Sequence, residues 1–294
     1  MSKFIHLHTH SHYSLLDGLG QIPQLITRAK ELEMPALALT DHGTMYGAIE
    51  FFESAKKNNL QPIIGMEAYI APRSMTSKSV GIDTKPYHLV LLAYNEDGYK
   101  NLIQITSDAH ISGYYYKPRV DKEYLKSHSN GLIALSACLA GEVARKIQQK
   151  DMVQAKLAIE QYQEIFGKEN FFLELQHHPQ IPVQTVVNQE IIKLSKQFNA
   201  PLVATNDIHY IKSEDAEAHQ ILLCVQTGKT IYDSDKMEYS GDFSMLDQDT
   251  MAEAFSPNSR SAFQHPANCG SLQGFQDKIL QRFITEFSDP NRRK

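Results

Sequence analysis

HLHTHSHYSLLDG, residues 6–18, sets four histidines and one aspartate within thirteen residues, on and just beyond what reads as the first strand, FIHLH at 4–8. Residues two apart on an extended strand share a face, so a regular strand would turn His6, His8, His10 and His12 the same way. Two imidazoles on one face are enough to begin a metal site. A lone histidine on a strand is more often simply solvated or hydrogen-bonded. The rest of the chain decides which reading holds.

Working outward, short apolar runs alternate with longer helical ones. Strands are read at ALALT (36–40), PIIGMEAYI (62–70), HLVLLAY (88–94), GLIALSA (131–137), FFLELQ (171–176) and PLVATN (201–206), which with FIHLH makes seven. Between them PQLITRAKELE, AIEFFESAKKNN and QTVVNQEIIKLSKQFN carry apolar residues at helical spacing. This alternation is that of βα units on a mainly parallel sheet, and the expected architecture is α/β, a closed or nearly closed barrel. APRSMTSKSVGIDTKP (71–86) has no periodicity and reads as a mobile surface loop. From about residue 213 the alternation stops, with a helical piece at EDAEAHQILLCVQTGK; residues 256–294 show no strand or cap logic and end in a basic RRK.

Functional groups of α/β barrels gather where strands end and βα loops begin. Here ligand-type residues recur at those points: His8, His10 and Asp17, then Asp41 and His42, then Glu67, Cys138, His177 and His178, and finally Asp207 with His209. His88 breaks the rule, because it begins its strand. Imidazole, carboxylate and one thiolate suit zinc, or manganese and iron where oxygens and imidazoles dominate. So many donors exceed one ion, and two or three divalent ions are expected. Clustered metals serve phosphate-ester hydrolysis by polarising the phosphoryl group and acidifying water.

Composition bounds the alternatives. The 294 residues are 42% apolar and 21% charged, ordinary for a globular chain of one domain plus an appendage. Cys138, Cys224 and Cys269 are odd in number and far apart, which fits a reducing cytoplasm, and no signal peptide or membrane span is read. A net charge of -5 argues against a broad nucleic-acid-coating surface, so any nucleic acid must be held locally. GYYYKPRVD (113–121) offers such a grip, with Tyr115, Lys117 and Arg119 as candidate substrate contacts, against the plainer reading of a loop of snorkelling side chains. QTGKT (226–230) lacks the first glycine of a phosphate loop and is set aside. Cys224 reads as a small core residue.

HLHTHSHYSLLDG, ALTDHGTMYGAIEF, QPIIGMEAYIAP, YHLVLLAYNEDGYKNL, GYYYKPRVDKEYL, LIALSACLAGEV and VATNDIHY, in this order, resemble the motifs of the polymerase and histidinol phosphatase (PHP) domain. The likeness is narrowest to that domain as it opens the alpha subunits of C-family bacterial replicative DNA polymerases, DNA polymerase III. The resemblance implies a distorted seven-stranded (β/α)7 TIM-like barrel with a three-metal centre at its strand ends. It puts the family's ligand positions on His8, His10, Asp17, His42, Glu67, His88, Cys138, Asp207 and His209, and leaves His6 and His12 as supporting residues. It divides the chain into the barrel at 1–212, a linker region at 213–255 like the start of a polymerase body, and an unaligned tail at 256–294 whose truncation or frame-shift would explain the break. Because many such domains have lost ligands, the full set implies an active centre. The activity implied is a metal-dependent 3′-5′ exonuclease of proofreading type, acting on a DNA 3′ end, with a separate proofreading subunit and the sliding clamp as partners of the longer protein. A small-molecule phosphatase and a non-catalytic scaffold stay open beside it. The palm carboxylates of such polymerases have no counterpart here, so polymerisation is not expected of this chain.

Overall fold

The computed structural model describes residues 4–15 and 17–255, together with Gln281 and Phe283. Its strands are β1 (Ala36–Leu39), β2 (Gln61–Ile70), β3 (Tyr87–Ala93), β4 (Arg119–Val120), β5 (Leu132–Leu135), β6 (Phe171–Gln176) and β7 (Leu202–Thr205). Its helices are α1 (Ile22–Glu31), α2 (Ala48–Lys57), α3 (Glu96–Ile111), α4 (Lys122–Ser127), α5 (Glu142–Gln148), α6 (Met152–Phe166), α7 (Pro182–Phe198), α8 (Ala216–Thr227) and α9 (Gln248–Ala254). The helices start where sequence chemistry says they should. Asn95, Asp121, Asp151 and Asp247 each accept a first-turn backbone N–H, at α3, α4, α6 and α9.

The sheet runs β1-β2-β3-β5-β6-β7, with the short β4 beside β2. β1–β2, β5–β6 and β6–β7 pair in parallel, but β3 runs antiparallel to both β2 and β5. The mainly parallel expectation therefore needs one reversal. β2 can serve both neighbours because its ten residues are divided: Gln61–Ile64 pair with β1 and Gly65–Ile70 with β3. Gly65 marks the change, and a methyl there would lie 2.6 Å from Leu91 O.

Residues 4–10 close the ring without forming a regular strand. On one side Ala38 N–H donates to His6 O and Thr40 N–H to Thr9 O; on the other His10 N–H donates to Ile208 O and Ile208 N–H to His8 O. The chain bends at Leu7. Ile5 and Leu7 point into the ring, and after the bend His8 and His10 do so as well, whereas His6 turns out to Leu246 O at 2.9 Å. A break in alternation thus moves two histidines onto the concave face and leaves one behind.

Alternation elsewhere builds two apolar layers. Leu37, Leu39, Leu89, Leu91, Leu132, Phe171, Leu173 and Leu202 face the helices. Ala36, Ala38, Ile63, Val90, Leu92, Ile133, Leu135, Phe172 and Val203 fill the concave side, joined by Phe283. The rest of the tail read at 256–294 lies outside the described residues, Gln281 apart.

Two irregular segments are tied down. The 71–86 loop, read as mobile, is organised by the buried Arg119, whose guanidinium donates to the carbonyls of Met75, Ser77, Asp83 and Gly113, and by Arg73 paired with the buried Asp83. The stretch after α8 packs on the barrel: His209 N–H donates to Phe243 O, Asn206 Nδ2 to Asp242 O and Ser244 O, and Phe4 N–H to Gln248 Oε1. No described helix is long and apolar enough to cross a membrane.

Candidate metal centre

All nine residues placed on ligand positions come together at one end of the sheet. His8 and His10 follow the bend at Leu7, His42 follows β1, Cys138 follows β5, and Asp207 with His209 follow β7. The reversal of β3 accounts for His88. The first residues of an antiparallel strand lie beside the last residues of its neighbours, and His88 is paired with Tyr69 near the end of β2.

Glu67, within β2 and buried, is the hub. Its carboxylate lies 3.3 Å from His8 Nε2, 2.5 Å from His42 Nδ1, 3.0 Å from His88 Nδ1 and 3.8 Å from both His10 Nε2 and Cys138 Sγ. Asp207 Oδ1 lies 3.2 Å from His8 Nε2 and 3.3 Å from His10 Nε2, and Asp17 Oδ2 lies 3.2 Å from His42 Nε2. The donors form three overlapping groups, His8/His10/Asp207, His10/His42/His209 and His42/Glu67/His88.

Apart from the close His42–Glu67 contact and the His88–Glu67 hydrogen bond, most of these spacings suit ligands of a shared ion. An ion with bonds near 2.1 Å holds its nitrogen and oxygen donors about 3.0–3.4 Å apart, and a thiolate–imidazole pair about 3.6 Å apart. Cys138 Sγ and His88 Nδ1 are 3.6 Å apart. Meanwhile His8 Nε2, His10 Nε2, Asp17 Oδ1, His42 Nδ1, Glu67 Oε2, Asp207 Oδ1 and His209 Nε2 are buried and face one another without a well-formed hydrogen bond. Buried polar atoms are ordinarily paired, so seven orphans at one place point to cations that the donor set is built to receive.

The electrostatics have the same sense. Burial would raise the Glu67 carboxyl, but His88, His42 and His8 hold it well below the usual range. Burial opposes charge on His8 and His42, yet Asp207, Glu174 and Glu67 raise the first, and Asp17 and Glu67 the second. His10 is pushed to about 3 by burial and by the imidazoles of His42 and His209. Burial, Glu67 and Asp207 push the Cys138 thiol well up. Without cations the centre must borrow protons on its histidines to balance its acids.

Supporting residues orient the donors. His8 Nδ1 is 2.8 Å from Glu174 Oε1, and Glu174 is itself held by Thr205 and Gln176. His10 Nδ1 meets Ser14 Oγ at 2.9 Å, and Ser14 donates to Asp41, which also accepts from Ser11. Such partners fix which ring nitrogen faces a metal. Asp41, read as one of the ligand types, is one shell back. Glu174 was missed, although a single acid amid FFLELQ, on the inward face, was a visible signal. Ala137 and Asp207, beside and within the donor set, have positive φ (61° and 51°), backbone held off its preferred region at the centre.

Other sequence readings fare unevenly. His177, half-buried beside Phe255, and His178, buried against Phe243, join none of the three groups; His12 packs on Tyr13. Arg119 lies away from the surface: it is buried and its guanidinium gives four of its five N–H groups to backbone carbonyls. Tyr115 lies under that guanidinium at 5.2 Å. Lys117 stays exposed, 5.3 Å above the ring of Tyr69, which in turn lies against His42 and His88.

Comparison with known proteins adds three findings. A family profile described as the PHP domain matches residues 6–178. The chain is 44% identical over 256 residues to a DNA polymerase III subunit alpha from Borreliella burgdorferi, covering 86% of this chain and 22% of that protein, and 42% identical over 244 residues to one from Thermus aquaticus, covering 82% and 20%. The chain therefore spans about a fifth of the length of these relatives. Among solved structures, an amidohydrolase from Chromobacterium violaceum is similar at a TM-score of 0.47 and 15% identity, over 70% of this chain and 87% of that one.

Proposed function

The chain belongs to the PHP domain family, and from that premise we propose that it is the PHP domain of a bacterial DNA polymerase III alpha subunit, a metal-dependent phosphoesterase that removes nucleotides from a DNA 3′ end. The observation that carries this reading is the convergence of buried, unpartnered donor atoms from His8, His10, Asp17, His42, Glu67, Asp207 and His209. With His88 and Cys138 the donor set fits two to three divalent ions, zinc first, then manganese or iron.

Bound ions would draw charge from a phosphoryl group and lower the pKa of a water, so that once deprotonated it could attack. The chain's own part is to hold donors ready. Glu174 fixes His8 and the Asp41–Ser14 relay fixes His10, so both rings present Nε2 to the centre before any substrate arrives. Lys117, exposed and 5.3 Å from the Tyr69 ring that borders His42 and His88, is assigned to a backbone phosphate. In a longer protein the partners would be the polymerase body, a proofreading subunit and the sliding clamp.

One observation favours a second reading. With Arg119 withdrawn into the 71–86 loop, a single lysine is left of the pair assigned to hold a strand, and a small phosphomonoester would need no more. Elemental analysis of protein purified without chelator, combined with a 3′-labelled DNA assay, tests both. Two to three ions per chain and stepwise loss of 3′ nucleotides are expected; release of terminal phosphate alone would select the phosphatase, and less than one tightly held ion would sink the metal centre. Excess chelator should lower the melting temperature, because the donors are then left crowded without cations.

A further inference from the structure

Tyr239 belongs to no strand or helix of the barrel. It lies in the extended stretch between α8 and α9, outside the profile-matched residues 6–178. That stretch is fixed from both sides of the chain: Phe243 O accepts from His209 N–H, Tyr210 Oη accepts from Phe243 N–H, and Gly241 lies so near His178 that a methyl there would be 3.1 Å from its Nδ1.

The ring of Tyr239 stands edge-on to His209, with centroids 5.1 Å apart and planes at 82°, and packs on His219 at 5.1 Å and Phe243 at 4.7 Å. It borders the donor cluster through His209. Burial first of all raises its hydroxyl above the usual tyrosine range, and the donors Asp17, Asp207, Cys138 and Glu67 act in the same sense. The hydroxyls of Tyr13, Tyr124, Tyr162 and Tyr210 are given to Glu50, Asp108, Glu142 and Gly241 O; that of Tyr239 makes no such bond among the described residues.

A phenol held on three sides by rings has only two torsions to lose, so its hydroxyl is presented at little entropic cost. Protonated at neutral pH, it is a donor that brings no charge to compete with cations. An anion held at the donor cluster would offer that hydroxyl an acceptor.

We propose that Tyr239 is a substrate-contacting residue of this centre, its hydroxyl donating a hydrogen bond to a phosphoryl oxygen held over the donor cluster. The proposal rests on the phosphoester reading above. Its consequence is that the site is completed by residues beyond the barrel.

The test uses the full chain loaded with zinc, wild type and Tyr239→Phe, with inorganic phosphate titrated by calorimetry. Zinc content and melting temperature are measured on the same samples. The expected result is unchanged zinc and melting temperature with phosphate affinity lowered roughly ten- to a hundredfold, the loss of one hydrogen bond to a charged group. Equal phosphate affinity in the two proteins overturns the proposal alone. Loss of zinc from the variant also overturns it, since the hydroxyl would then be supporting the donors. Wild-type protein that holds zinc yet takes no phosphate removes the phosphoester reading, and this proposal with it.

Discussion

The same strands end in two different chemistries. At one end of the concave face Ala36, Ala38, Ile63, Leu92 and Ile133 pack against one another as apolar side chains. At the other end the same strands deliver imidazoles, carboxylates and a thiol whose buried atoms lack partners. The apolar end lowers the free energy of the fold by removing surface from water; the polar end raises it, and is tolerable only if something else binds there. Stability and chemistry are separated along the strand axis, as barrel architecture permits.

Substitutions at the polar end should sharpen this contrast. His10→Ala or Asp17→Asn is expected to cut 3′-end hydrolysis at least a thousandfold, about 4 kcal/mol in the barrier, with only a small change in metal-free stability. Activity and unfolding measured on one preparation check it; a variant that melts early instead of losing rate would erase the distinction between the two ends.

The reverse experiment is Leu92→Ala, at the apolar end. Removing three buried carbons should lower unfolding stability by roughly 2–5 kcal/mol in denaturant titration, while the folded fraction keeps its metal content. Metal loss in proportion to the substitution would show that the layers are coupled.

Acid distinguishes the layers next. His178 is buried, with both ring nitrogens unpartnered, and burial first of all lowers it to about 4. Its folded value lies below its unfolded one, so the unfolded chain binds the extra proton between about pH 6.5 and 4, and stability falls as pH falls through that window, by roughly 3 kcal/mol at most. His178→Phe, which keeps a ring against Phe243, should flatten that part of the pH–stability curve. An unchanged slope would assign the acid sensitivity to the donor cluster alone.

The smallest effect belongs to the rim. Lys117→Ala should raise KM for DNA a fewfold, more at low salt than at high, and leave kcat within about twofold. A kcat effect equal to that of the ligands would put Lys117 in the centre itself.

Much of this was legible in the residues, for reasons that are local. Ligand types, caps such as Asn95 and Asp121, and helical periodicity are written within a few positions of where they act. What escaped is non-local. Nothing in HLVLLAY states its direction, so His88 looked misplaced until β3 proved reversed. The even spacing of His6, His8 and His10 suggested one face, and only the bend at Leu7 sends His6 to Leu246. Arg119 beside Lys117 looked like a phosphate grip, but its partners are carbonyls some forty residues earlier. Tyr239 approaches the centre from beyond the last strand, where no strand-end rule applies.

The reversed strand has an architectural consequence. In an all-parallel barrel every rim loop leads into a helix, and changing its length disturbs that helix. Because β3 returns directly from β2, residues 71–86 form a hairpin connection at the rim with no helix after it. Arg119 holds the loop at Met75, Ser77 and Asp83, while Val80 and Ile82 stand out between those anchors. Residues added or removed around Val80, between those anchors, would change the height of the wall on this side without touching the donor cluster. Two proteins with identical ligands could in this way admit guests of very different size.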